Sequence, residues 1–128
     1  MPALRWAATQ ASLTQASLEA VTTWRFPTSY GFPVMPDVDL SRDVTKVLEV
    51  TLTEVLGEEA AYVGQRTVEG HPARVLLDAA KGAELLVVGS RGHGGFTGLL
   101  LGSISEYVVT HAPCPVVVVR EPAAGSAD

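Results

Sequence analysis

Glycine occupies four of the seven positions from Gly89 to Gly95, and a run of this kind suits one sort of chemistry. Without a Cβ, the backbone can take positive φ and its N–H groups can come close to a ligand. Gly102-Ser103-Ile104-Ser105-Glu106 follows and reads as a helix start, with Ser103 and Glu106 at the Ser-x-x-Glu spacing of a capping box. Free N–H groups of the loop and of the helix start would converge there, and the helix dipole adds partial positive charge. A phosphate is the natural guest. Gly89, Gly92, Gly102 and Ser103 would meet it through backbone N–H groups, with the Ser103 hydroxyl as an extra donor. Ile104 and Ser105 share the first turn and could lend N–H groups or a hydroxyl. Arg91 and His93 are the loop's only side chains able to add positive charge, and Arg91 reads equally well as a phosphate partner or a solvated residue. The same residues also fit a plain turn followed by a capped helix.

Other chemistries find less support. No Gly-x4-Gly-Lys-[Ser/Thr] run exists, and Gly-x-Gly-x-x-Gly fails because Gly92 and Gly94 are followed by Thr97 at the last place. Gly-x-Ser-x-Gly is absent as well. Ser90, His93 and a distant aspartate could be assembled on paper, yet no spacing links them. No histidines, cysteines or carboxylates stand at metal-ligand spacing. His71 and His111 fall at helix ends, and a protonated imidazole suits the C-terminal one. Cys114, between Pro113 and Pro115, reads as structural because no charged partner is evident to activate its thiol. The expectation is a binding protein rather than an enzyme, with at most slow, incidental hydrolysis of what it binds.

The elements that must hold this loop follow from periodicity. Leu85-Leu86-Val87-Val88 and Val116-Val117-Val118-Val119 lack polar alternation, as expected of strands buried on both faces. Between them a helix runs from the Ser103 region to about His111, stopped by Pro113 and Pro115. Upstream, Leu4, Ala7, Ala8 and Ala11 recur at helical spacing, with Pro2 suited to a first turn. Leu18 to Trp24 favours strand. Arg25 to Asp37 is a loop of 13 residues, long for a domain of this size. Its Phe26, Tyr30 and Phe32 would either fold onto the core or line a pocket for an aromatic ligand. A second helix spans about Asp39 to Leu56, with Val44, Val47, Leu48, Leu52 and Val55 on one face and Gly57 at its end. Ala61 to Val68 is predicted as a strand. A helix then begins near Pro72, carries Val75, Leu76, Ala79 and Ala80, and ends at Gly82. Helix and strand alternate throughout, which predicts a parallel sheet with helices on both faces.

At 128 residues, 47% apolar and 18% charged, the chain suits one folded domain over residues 1–120, followed by a disordered tail over 121–128. A net charge of −5 argues against nucleic acid and anionic membrane as partners. No apolar run nears the roughly 20 residues that span a bilayer, and no signal peptide is evident. A single cysteine points to a reducing, cytoplasmic setting.

Gly89, Gly92, Gly102 and Ser103 stand as Gly-x2-Gly-x9-Gly-Ser, which resembles the ATP-binding signature of the universal stress proteins. The Ala112-Pro113-Cys114-Pro115-Val116 ending is similar to that family too, and a looser likeness reaches back to about Leu4. The resemblance implies a flavodoxin-like sheet of conventional order 3-2-1-4-5 and ATP or another adenine nucleotide as ligand. It also implies Mg²⁺ or Mn²⁺ carried in by the phosphates, and a stress-response role exerted through partners. Thr23 matches the family position at the end of the second strand, where adenine contacts occur. Members commonly pair through the last strand, so a homodimer through Val116–Val119 is expected. Family members usually open with a strand ending in an Asp-Gly-Ser-like turn, central in the sheet. No such segment precedes Leu4 here, so a missing first strand is expected. With it goes an alternative role, a dimeric interaction protein of the same fold that has lost its nucleotide.

Overall fold

A computed structural model describes residues 2–25, 28–29, 32–33, 40–90 and 102–120. Helix α1 (Pro2–Thr14) starts at its proline, whose fixed φ suits a first turn and whose missing N–H costs nothing there. It closes in a Schellman arrangement: Ala16 N–H donates to Ala11 O at 2.9 Å and Gln15 N–H to Ser12 O at 3.4 Å. Gln15 therefore sits at φ 58°, where glycine is the usual occupant. Strand β1 (Leu18–Trp24) follows, with the bounds expected. The segment expected to be plain loop carries two short strands, β2 (Thr28–Ser29) and β3 (Phe32–Pro33), paired antiparallel; the regularity is backbone pairing over two residues a side, too short to leave a pattern.

Helix α2 (Leu40–Leu56) runs into a 3₁₀ turn at Gly57–Tyr62, which delays β4 (Val63–Glu69) by two residues beyond the expected start. α3 (Pro72–Ala80) takes His71 as its N-cap, with Nδ1 accepting from Ala73 N–H at 3.2 Å. β5 (Leu86–Gly89), α4 (Ser103–His111) and β6 (Val116–Val119) complete the chain.

β1 pairs parallel with β4, Leu18 opposite Val63 through Trp24 opposite Glu69. β5 pairs parallel with β6, Leu86 opposite Val116 through Gly89 opposite Val119. These are the neighbour pairs that the order 3-2-1-4-5 puts on either side of its first strand. Among the described residues no strand is hydrogen-bonded between β1 and β5, and the two ladders are separate. Helices join them. α1 packs on β5, β6, β1 and α2, while α3 packs on β1 and α4. α2 covers β1 and β4, anchored by Thr45 Oγ1 at 3.1 Å from Thr67 Oγ1.

Burial departs from expectation in the strands. β5 and β6 were expected to be buried on both faces, yet all eight of their residues are half-buried. Each ladder has only two strands, so its residues have fewer neighbours than those inside a wide sheet. Among the described residues the buried apolar ones, Ala7, Leu52, Ala73, Val75, Ala80 and Val108, all belong to helices. Leu52 is 0% exposed, whereas Val47 is 64% exposed; Val47 lies off the arc set by Val44, Leu48, Leu52 and Val55 at 100° per residue.

Two backbone positions yield stability predictions of opposite sign. Gln15→Gly relieves a left-handed non-glycine residue and should raise Tm, the gain being about 1 kcal/mol. Gly70 has φ 148°, and an added Cβ would lie 3.0 Å from Val75 Cγ2. Its N–H also ties β4 to Trp24 O at 2.9 Å. Gly70→Ala should destabilise by about 1–3 kcal/mol. Urea unfolding of the two variants beside the parent checks both signs, and a change of the same sign in both would contradict this account.

Candidate functional site

The region of interest is the junction between the carboxyl end of β5 and the start of α4. Three hydrogen bonds build it. Ser90 N–H donates to Val119 O at 3.0 Å, extending the β5–β6 ladder by one residue. Ser90 O accepts from Gly102 N–H at 2.7 Å. The Ser105 hydroxyl donates to Gly89 O at 2.5 Å. Ser90 and Ser105 are 8% and 7% exposed, so the bonds linking helix start to strand end lie at buried groups. Residues 89–90 and 102–105 are thus held together across the intervening segment.

The helix start differs from the predicted capping box. Gly102, at φ −64° and ψ 157°, is the N-cap, and it makes no side-chain capping bond because it has no side chain. Ser103 is the first helical residue rather than the cap. Glu106 sits one place too far along to close a box, and its N–H donates to Gly102 O at 2.9 Å. The register is set by the Gly102–Ser90 bond, which fixes where the chain turns into the helix. The N–H groups of Ser103, Ile104 and Ser105 precede that first helical bond and have no intrahelical acceptor. They form a donor cluster at the positive end of α4.

Each expected contact residue can now be placed. Gly89, Gly102, Ser103, Ile104 and Ser105 are brought together at this junction. Ser103 is exposed and Ile104 half-buried. Facing a carbonyl, the Ser105 hydroxyl must be the donor and has no second proton. What Ser105 can offer an anion is its backbone N–H. Thr23 is half-buried near the carboxyl end of β1, on the other ladder, opposite Val68. Arg91, Gly92 and His93 lie outside the described residues, as do Phe26, Tyr30 and the tail 121–128. Ser90 was not singled out as a contact by its type or spacing; only the long-range bond to Gly102 reveals its part.

A few titratable side chains elsewhere have local partners. His111 Nδ1 lies 2.9 Å from Tyr107 O, and its ring stacks on Tyr107 with centroids 4.0 Å apart. Arg66 pairs with Glu19 at 3.1 Å across β4 and β1, both half in solvent, where such pairs add little. Among the described residues no group of three or more His, Cys, Asp or Glu could hold a metal ion. No helix of the described residues is long and apolar enough to cross a membrane.

Residues 1–120 match the model of the universal stress protein family. The chain belongs to this family. A universal stress protein of Mycobacterium tuberculosis is 41% identical over 92 residues, covering 68% of this chain and 31% of that protein. The chain thus spans under a third of the length of the mycobacterial relatives it matches. Among solved structures, the universal stress protein UspA from Lactobacillus plantarum superposes with a TM-score of 0.71 at 25% identity, over 92% of this chain and 87% of that one. A universal stress protein solved in complex with cAMP gives a TM-score of 0.62 at 26% identity, over 92% and 84%. The flavodoxin-like α/β fold is therefore shared with known universal stress proteins.

The junction makes one structural prediction of its own. Because Gly102 supplies no capping side chain, Gly102→Asp would introduce an acceptor at the N-cap and bring negative charge to the helix start. Against a glycine cap such an acceptor gains roughly a few tenths of a kcal/mol, and a negative charge at the helix start adds about 0.3–1 kcal/mol. The aspartate variant should therefore melt higher than the parent in the absence of ligand. A lower melting temperature would show that the Gly102 position has no room for a side chain even without a bound anion.

Proposed function

We propose that this universal stress protein binds an adenine nucleotide, ATP, with its phosphates at the β5–α4 junction. The observation that carries the reading is the uncapped start of α4, pinned to the strand end by the Gly102–Ser90 bond. Three backbone N–H groups and the dipole of a nine-residue helix meet there without a competing side-chain acceptor at Gly102. Gly102 itself supports the reading, because its φ of −64° is open to any residue. The lack of a Cβ matters there for space, as close approach of a phosphate requires. The Gly-x2-Gly-x9-Gly-Ser spacing and the cAMP complex of a structural relative point the same way. Thr23, near the carboxyl end of β1, is the residue offered to the adenine side, and Arg91 and Gly92 would add to the phosphate contacts. A Mg²⁺ or Mn²⁺ ion would enter with the nucleotide, held mainly by phosphate oxygens. The role is regulatory, exerted through partners in a reducing cytoplasm, where the half-buried thiol of Cys114 would stay unpaired.

ATP titration tests this directly. Gly102→Val fills the approach without straining the backbone, and it should weaken ATP binding by more than about tenfold, or roughly 1.4 kcal/mol. Equal affinity of parent and variant would place the nucleotide elsewhere. A parent that binds no ATP at millimolar concentration would end the reading.

A second feature supports a homodimer. Among the described residues β6 pairs on one side only, with β5, and its four valines are half-buried. An apolar strand edge of this kind recruits another edge, and two-fold antiparallel pairing of two β6 strands would satisfy both copies at once. The same edge would serve the alternative of an interaction protein that binds no nucleotide. Replacing Val117 and Val119 together by lysine should convert a dimer to a monomer in light scattering. A parent that is already monomeric at high concentration removes this proposal.

A further inference from the structure

We infer that Ser105 is a positioning residue, a buried clasp that holds the start of α4 against the end of β5 and so sets the affinity of the nucleotide site. This rests on the nucleotide reading for its functional half; its structural half stands alone. The Ser105 hydroxyl donates to Gly89 O at 2.5 Å across sixteen positions of sequence, and the residue is 7% exposed. Gly89 and Gly102 are the outer glycines of the spaced motif, and each takes part in a bond that closes the same junction. Gly89 gives its carbonyl to Ser105, while Gly102 gives its N–H to Ser90 O at 2.7 Å. Two bonds at neighbouring points fix an orientation as well as a distance, where one alone would leave a pivot. Removing the hydroxyl would leave the carbonyl of half-buried Gly89 short of its partner and free the helix start to rotate about the Gly102–Ser90 bond. Donors that converge only in one orientation then bind an anion less well, although each N–H remains present.

The test compares Ser105→Thr with Ser105→Val, two side chains of one shape of which only threonine keeps the hydroxyl. Any overpacking by the added methyl is common to both. Thr110→Ala serves as control, since Thr110 loses an exposed hydroxyl bonded to Glu106 O in the same helix, away from the junction. Two readouts are taken: exchange of the Gly102 amide hydrogen without nucleotide, and ATP affinity by titration. The threonine form should match the parent in both. The valine form should exchange Gly102 at least about tenfold faster and bind ATP about tenfold more weakly. If valine and threonine forms behave alike in both readouts, the clasp is overturned. Faster exchange with undiminished ATP binding overturns its role in the site. If the parent binds no ATP, the nucleotide reading falls, and the Gly102 exchange rates still decide whether Ser105 holds the junction.

Discussion

Two parallel ladders that do not join into one sheet among the described residues must be held as one molecule, and helix packing is what does it. α1 lies on β5, β6 and β1 at once, with Ala7 buried beneath it. α3 joins from β1 to α4, burying Ala73, Val75 and Ala80. Small side chains predominate in these contacts because helices must approach closely to reach both ladders. The strands supply direction and the helices supply cohesion. This division explains why every buried apolar residue among those described sits on a helix, while the all-valine β6 stays half-buried.

The same arrangement sets up the candidate site. A parallel pair needs a crossover, and the crossover from β5 to β6 returns through α4. The chain therefore leaves β5 at its carboxyl end and comes back at the amino end of a helix, beside that strand end. Backbone donors and a positive dipole end are thereby placed at one edge of the sheet, the usual ligand edge of open α/β folds. Ser90 and Ser105 add what topology alone does not supply, which is fixed distance and orientation. Both are small polar residues buried with their bonds made, as burial of polar groups requires.

Nucleotide binding and dimer formation, as proposed, fall on different parts of the last crossover. The donor cluster is at the start of α4, while the strand edge unpaired among the described residues is on β6 beyond its end. Val119 links them, because its carbonyl accepts from Ser90 N–H at 3.0 Å. A change in β6 pairing would therefore reach the β5–α4 junction through one backbone bond. This is a short physical path, and it lies within a single strand–helix–strand unit.

Much of this was legible in the sequence. The bounds of β1 and β6, the proline start of α1, the helical faces at Leu52 and Val75 and the alternation that implies a parallel fold all followed from periodicity and turn chemistry. The gathering of Gly89, Gly102 and Ser103 was legible from spacing. These are local properties, set by rotation per residue and by what glycine and proline permit. The helix register at Gly102 was not legible, since Ser103 with Glu106 makes a plausible cap until the Ser90 bond shifts the start by one residue. The exposure of Val47 and the half-burial of β5 and β6 depend on how many neighbours surround each element. The part played by Ser105 depends on a bond to a residue sixteen positions away. Local sequence determined which elements form and where they turn; long-range packing and hydrogen bonding decided how those turns are held, because a bond such as Ser105 to Gly89 exists only once distant elements have packed.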